Sequence, residues 1–180
     1  MNDITRLTDK DIDKYADDVY LKAKQRLGDT SMVSFDVLGF VQKLGGSVSK
    51  ACGGTIIQKV CISPDDDSFH IQIPMFTSAS WGRFAVAHCL YHFLIEYVSS
   101  GKNVTTFELC TEWGNPERDR ESERVADLFA LALLMPRSQF VPLFKELDGR
   151  KSARALADVF KVSVHLVNTR INMLENIGEI

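Results

Sequence analysis

"WGRFAVAHCLYHFLIEY", residues 81–97, decides how the rest of the chain reads. The stretch is apolar, lacks Pro, and sets His88 and His92 four residues apart with Cys89 directly after the first. Four residues of α-helix turn through about 400°, so the two imidazoles sit roughly 40° apart and one turn above the other. They can converge on one ion. Zinc accepts two imidazoles and a carboxylate and leaves a fourth position open. Histidines at this spacing also occur as ordinary buried core residues, so a third ligand decides.

The best third ligand is Glu123, in "ESERVADLFALALLMP", residues 121–136. Asp127 follows four residues later and shares its face. In this pairing the Glu binds the metal, and the Asp accepts a hydrogen bond from the outer nitrogen of a ligand His, fixing its tautomer. Glu123 also reads as a solvated charge favoured by a helix N-terminus. Asp127 reads less easily that way, since Val125, Ala126, Leu128 and Phe129 surround it. Glu96 extends the His88–His92 stripe by one further turn. It ranks below Glu123, because all three would reach one ion only with strain.

Working outward, Thr8 opens a helix with Asp11 at the capping-box position, and apolar residues recur at helical spacing to Leu27. Ser34 is expected to cap a second helix that ends at Gly45-Gly46. Residues 46–75 are rich in β-branched residues and predict a short antiparallel meander of two or three strands, with Phe69, Ile71 and Ile73 on one side and His70 and Gln72 on the other. One helix is expected over 80–98, then a loop carrying "EWGNPERDRE", then a helix from about Arg120 to Met135, stopped by Pro136. Ser138 is expected to cap a helix to Leu147. Two last helices flank "KVS", the second capped by Ser163.

The 180 residues suffice for one domain with a core, and 45% hydrophobic and 25% charged residues are ordinary for a globular protein. A net charge of −3 argues against binding nucleic acid by charge alone. No apolar run is long enough to span a membrane, and the polar, acidic start is unlike a signal peptide. Cys52, Cys61, Cys89 and Cys110 form no CxxC pair, so we expect free thiols in a reducing cytoplasm.

"RFAVAHCLYH" at 83–92 and "ERVADLFALALLMP" at 123–136 resemble the paired motifs of the ImmA/IrrE family of zinc metallopeptidase-like proteins. Arg83, Phe84, Ala87, His88 and His92 match the first motif. Glu123, Ala126, Phe129, Ala130, Leu133, Leu134, Met135 and Pro136 match the second, with Asp127 where the family often has Asn. "SFDVLGFVQKLGGSV" and "SARALADVFKVSVHLVNTRINMLENIG" are similar to its flanking segments, so the resemblance covers roughly residues 30–178.

The resemblance implies an α+β fold: one mostly helical, zincin-like domain over 1–180, with N-terminal helices in 1–45, a small antiparallel sheet in 46–75, metal-binding helices in 80–136 and a helix-turn-helix-like hairpin within 137–180. It implies zinc held by His88, His92 and Glu123, in the cytoplasm of a bacterium or on a phage or other mobile element. It further implies a helix-turn-helix repressor as partner, inactivated by limited proteolysis, and no membrane.

One match fails. The family's general base, a Glu, falls at position 89, which is Cys89 here. A thiol is shorter, its reference pKa is about 8.5, and a thiolate near zinc competes as a ligand rather than shuttling a proton. Losing a positioned general base costs about 10²–10⁴ in rate. Three readings stay open: a pseudoenzyme that binds a regulatory partner, a weak peptidase using another base such as Glu121 or a partner's carboxylate, and a redox switch at Cys89. An inert buried Cys89 beside a metal-free site is the plain alternative. A further reading is DNA or partner binding by the last helix through His165, Asn168 and Arg170.

Overall fold

The structure is a computed structural model that describes residues 7–28, 33–51, 57–62, 68–98, 108–112 and 120–180. Helix α1 (Asp9–Leu27) starts at the expected capping box. Thr8 Oγ1 accepts from the Asp11 N–H at 3.2 Å, and Asp11 Oδ2 accepts from the Thr8 N–H at 3.0 Å. Its buried residues Ile12, Ala16, Tyr20 and Ala23 fall on one stripe.

Helix α2 (Val37–Lys43) is capped by Asp36, not Ser34. Asp36 Oδ1 accepts from the Gly39 N–H at 3.0 Å, and a Cβ on Gly39 would lie 2.3 Å from the same carboxylate, so a larger residue there would shift the capping side chain. Ser34 instead receives the Arg83 guanidinium at 3.3 Å, which also donates to the Phe35 carbonyl at 2.8 Å. A competing long-range partner therefore displaced the expected cap.

Four strands follow: β1 (Gly46–Ala51), β2 (Ile57–Ile62), β3 (Phe69–Pro74) and, later in the chain, β4 (Glu108–Glu112). Their order is β1-β3-β2-β4. The expected antiparallel pairing holds for β2 with β3, but β1 skips its chain neighbour and runs parallel to β3, so the sheet is mixed. The register brings Gly46 opposite Phe69, where a Cβ would meet the Phe69 ring at 2.4 Å; glycine leaves room for the ring. β3 alternates as expected, with Phe69, Ile71 and Ile73 buried. β4 lies in a stretch read as loop, and it pairs antiparallel with the open edge of β2.

Helix α3 (Ala79–Tyr91) is capped by Ser78, whose hydroxyl accepts from the Trp81 N–H at 3.2 Å. The expected single helix over 80–98 changes winding at its end: His92–Val98 is π-helical, a wider turn closed by i→i+5 bonds. Helix α4 (Arg120–Leu134) ends before Pro136 as expected, and α5 (Arg137–Glu146) begins directly after it. Ser138 does not cap α5; its N–H and hydroxyl both donate to Asp17 of α1.

Helices α6 (Ala153–Phe160) and α7 (Val164–Asn176) are separated by a tight turn with Lys161 in the left-handed region, and Ser163 caps α7 as expected. The buried apolar residues of helices and strands form one cluster. No single helix among the described residues is long and apolar enough to cross a membrane. The α4–α5 pair, bent by 62°, is apolar because Phe129–Met135 and Phe140 line the core.

Candidate metal centre

Two helices build the centre. α3 carries His88 in its last turn, the π-helical turn that continues it opens with His92, and α4 packs against α3 and presents Glu123 and Asp127 from its first turns. The packing follows from sequence: α3 is apolar almost all round, and α4 buries Val125, Ala126, Phe129 and Ala130 on the side that turns inward. Tyr91 of α3 meets Phe129 of α4 with ring centroids 5.7 Å apart, which seats the helices at the level of the histidines.

His88 Nε2 and His92 Nε2 lie 3.1 Å apart. Glu123 points one oxygen at each imidazole, Oε2 at 3.4 Å from His88 Nε2 and Oε1 at 3.5 Å from His92 Nε2. One ligand atom from each of the three residues lies within 4.8 Å of the others. Four-coordinate zinc with bonds of 2.0–2.1 Å places its ligand atoms roughly 3.3 Å apart. The donor set and its spacing therefore fit a small tetrahedral cation without rearrangement.

Asp127 Oδ1 accepts from His88 Nδ1 at 2.8 Å. That hydrogen bond puts the His88 proton on Nδ1 and turns the Nε2 lone pair toward Glu123 and His92. Burial opposes protonation of His88, but its hydrogen bonds to Asp127 and Glu123, and their charges, outweigh it and raise the pKa above 6.5. The imidazoles are sealed in the core, 3% and 1% exposed, while the Glu123 and Asp127 side chains are 30% and 50% exposed. The centre is thus buried on the α3 side and partly exposed on the α4 side. A zinc ion there would polarise a carbonyl and acidify water.

Cys89 is fully buried, outside any disulfide, and not one of the three converging residues. Its position about 100° round α3 from His88 puts it within the apolar packing of the helix. Glu121, the candidate substitute base, is gripped by Arg124 through Nε at 3.0 Å and Nη2 at 2.7 Å, and Arg124 also binds Asp9. That hydrogen bonding holds the Glu121 carboxyl below its usual range and makes it a poorer proton acceptor. The side chains of Glu96 and Cys110, and all of Cys52, lie outside the described residues.

On α7, His165 and Asn168 are exposed. Arg170 is not: it is 0% exposed, and it pairs with the equally buried Asp13 of α1 and donates from Nε to the Met135 carbonyl at 3.0 Å. The expected surface contact is a buried clamp between α1, the end of α4 and α7. The local pattern gave no warning, because its partners lie far away in the chain. The Asp9–Arg124 tie also escaped sequence reading, although Glu121–Arg124 has the i,i+3 spacing of a helix ion pair.

A helix bearing HxxxH packed on a helix bearing ExxxD, beside a small mixed sheet, makes a mostly helical α+β domain of the zincin-like type. Residues 78–172, more than half of the chain, match the family model of the IrrE N-terminal-like domain, a peptidase family. The chain belongs to that family. A solved structure of a Mycobacterium tuberculosis transcriptional regulator is similar in fold, with a TM-score of 0.58 over 89% of this chain at 18% identity. The chain spans 46% of that regulator's length. A search of curated proteins finds no match.

Proposed function

We propose that this chain acts as a single-domain, zinc-binding, metallopeptidase-like regulator in a bacterial cytoplasm or on a phage or other mobile element. His88, His92 and Glu123 hold the ion, and Asp127 orients His88. Peptide cleavage is impaired because Cys89 stands where the general base belongs, so the protein works by binding a helix-turn-helix repressor or a related partner. The observation that carries this reading is the convergence of three donors at tetrahedral spacing beside a buried thiol that is not among them.

A weakly active endopeptidase is the second reading, supported by the partial exposure of the Glu123 and Asp127 side chains beside the buried histidines. The tie between Glu121 and Arg124 speaks against Glu121 as its base. DNA binding by α7 loses its one basic candidate to the core, which leaves His165 and Asn168 without a neighbouring phosphate contact from Arg170.

Cys89→Glu tests the proposal. The zinc-loaded variant, checked for folding by its thermal melt, is expected to cleave a repressor encoded beside the gene, while wild type binds that repressor intact. Wild-type cleavage at a comparable rate would overturn the impaired-enzyme reading and favour the second.

A further inference from the structure

His92 sits where the chain changes from α- to π-helical winding, and its two neighbours in sequence are anchored on opposite sides. Residues 91 and 93 are about 200° apart around a helix, so one can face α4 and the other the sheet. Tyr91 packs on Phe129 of α4. Phe93 stacks on Phe69 of β3, with ring centroids 3.8 Å apart and planes inclined by 19°, and Tyr97 continues the stack at 5.8 Å and 22°. All three rings of the stack are buried. Beneath Phe69 lies Gly46 of β1, whose missing side chain makes the space the ring occupies.

A π-helical turn is rare and less favourable than the α-helix it interrupts, so something must hold it. The stack offers that hold: Phe93 lies on Phe69, and Tyr97 lies on Phe93. We propose that the Gly46–Phe69–Phe93 stack is a positioning device for the metal centre: it sets the rotation of the turn that carries His92 and so the convergence of His92 Nε2 on His88 and Glu123. This rests on the metal-binding reading above. Phe69, Phe93 and Gly46 act through His92 and touch neither substrate nor ion.

The test is cobalt(II) titration of the metal-free full chain, read by visible absorption, beside thermal melts of each metal-free variant. Phe93→Leu removes the ring and keeps an apolar side chain; Gly46→Ala drives a Cβ into Phe69 without touching the helix. Each is expected to weaken cobalt affinity about 10–100-fold, as loss of an orienting partner does, and to shift the absorption bands. Phe93→Tyr keeps the ring and is expected to retain the wild-type spectrum. Phe140→Leu, in the core at α5, is expected to lower the melting temperature with affinity and spectrum unchanged.

A wild type that binds cobalt with Phe93→Leu and Gly46→Ala indistinguishable from it overturns the positioning role alone. An equal loss of affinity in Phe140→Leu does the same, since general destabilisation then explains the effect. A wild type that binds no cobalt overturns the metal reading and this inference together.

Discussion

Asp127 Oδ1 lies 2.8 Å from His88 Nδ1, a hydrogen bond between residues 39 positions apart that joins the two helices of the centre. It fixes which imidazole nitrogen faces Glu123. Removing it in Asp127→Ala is expected to weaken zinc binding about 10–100-fold, because His88 loses both its tautomer and its orientation. Competition with a chromophoric chelator measures the change, and affinity equal to wild type refutes the role.

The three ligands should matter more than their support. Purified wild type is expected to carry one zinc per chain by elemental analysis, and His92→Ala and Glu123→Gln much less. Sub-stoichiometric zinc in wild type, unchanged in His92→Ala, would remove the metal centre from the account. Chelation of wild type is expected to lower its melting temperature, since an ion bound only by the folded state stabilises it.

The raised pKa of His88 makes opposite pH trends in the metal-free and metal-loaded protein. Without metal, the folded state holds the His88 proton more tightly than the unfolded chain does. That stabilisation is fully present below the ordinary value of 6.5 and is lost as pH rises through the raised folded pKa. With metal, the proton is the competitor, so zinc affinity falls as pH drops through the same range. Melting curves from pH 5.5 to 8.5, with and without zinc, are expected to show the zinc-induced shift growing with pH. A shift independent of pH would mean that His88 is not a ligand.

Arg170 and Asp13 form a fully buried ion pair, and breaking such a pair leaves an uncompensated charge in the core. Arg170→Ala is expected to cost about 3–5 kcal/mol of stability by denaturant unfolding, while Arg154→Ala on the exposed face of α6 changes it little. An Arg170→Ala variant as stable as wild type would show that the clamp contributes nothing net.

Much of the fold was legible in local pattern. The capping box at Thr8, the Ser163 cap ahead of an apolar repeat, and the stop at Pro136 are set by interactions within a few residues, and they read directly. The alternation in β3 reads for the same reason, since burial of one face needs only a period of two. The pairing of HxxxH with ExxxD was legible because each motif places its residues on one helical face, whatever the helices pack against.

Other features depend on partners distant in sequence. β4 is a short strand whose hydrogen bonds come from the open edge of β2, and nothing within "ELCTE" announces that edge. The parallel pairing of β1 depends on Phe69 finding Gly46 across the sheet. Ser34 was displaced as a cap by an arginine 49 positions away. Arg170 looked like a surface charge until Asp13 and the Met135 carbonyl enclosed it.

For the centre itself, sequence alone determined the residue types and their helical faces: two imidazoles one turn apart, a carboxylate and its companion one turn apart, and a thiol in the base position. Covalent order and helix periodicity suffice for that. Only the tertiary structure decided that the two faces meet at 3.1–3.5 Å, that Asp127 engages His88, and that Glu121 is spent on Arg124. Those outcomes depend on the angle and depth at which α3 and α4 pack, where Tyr91 meets Phe129.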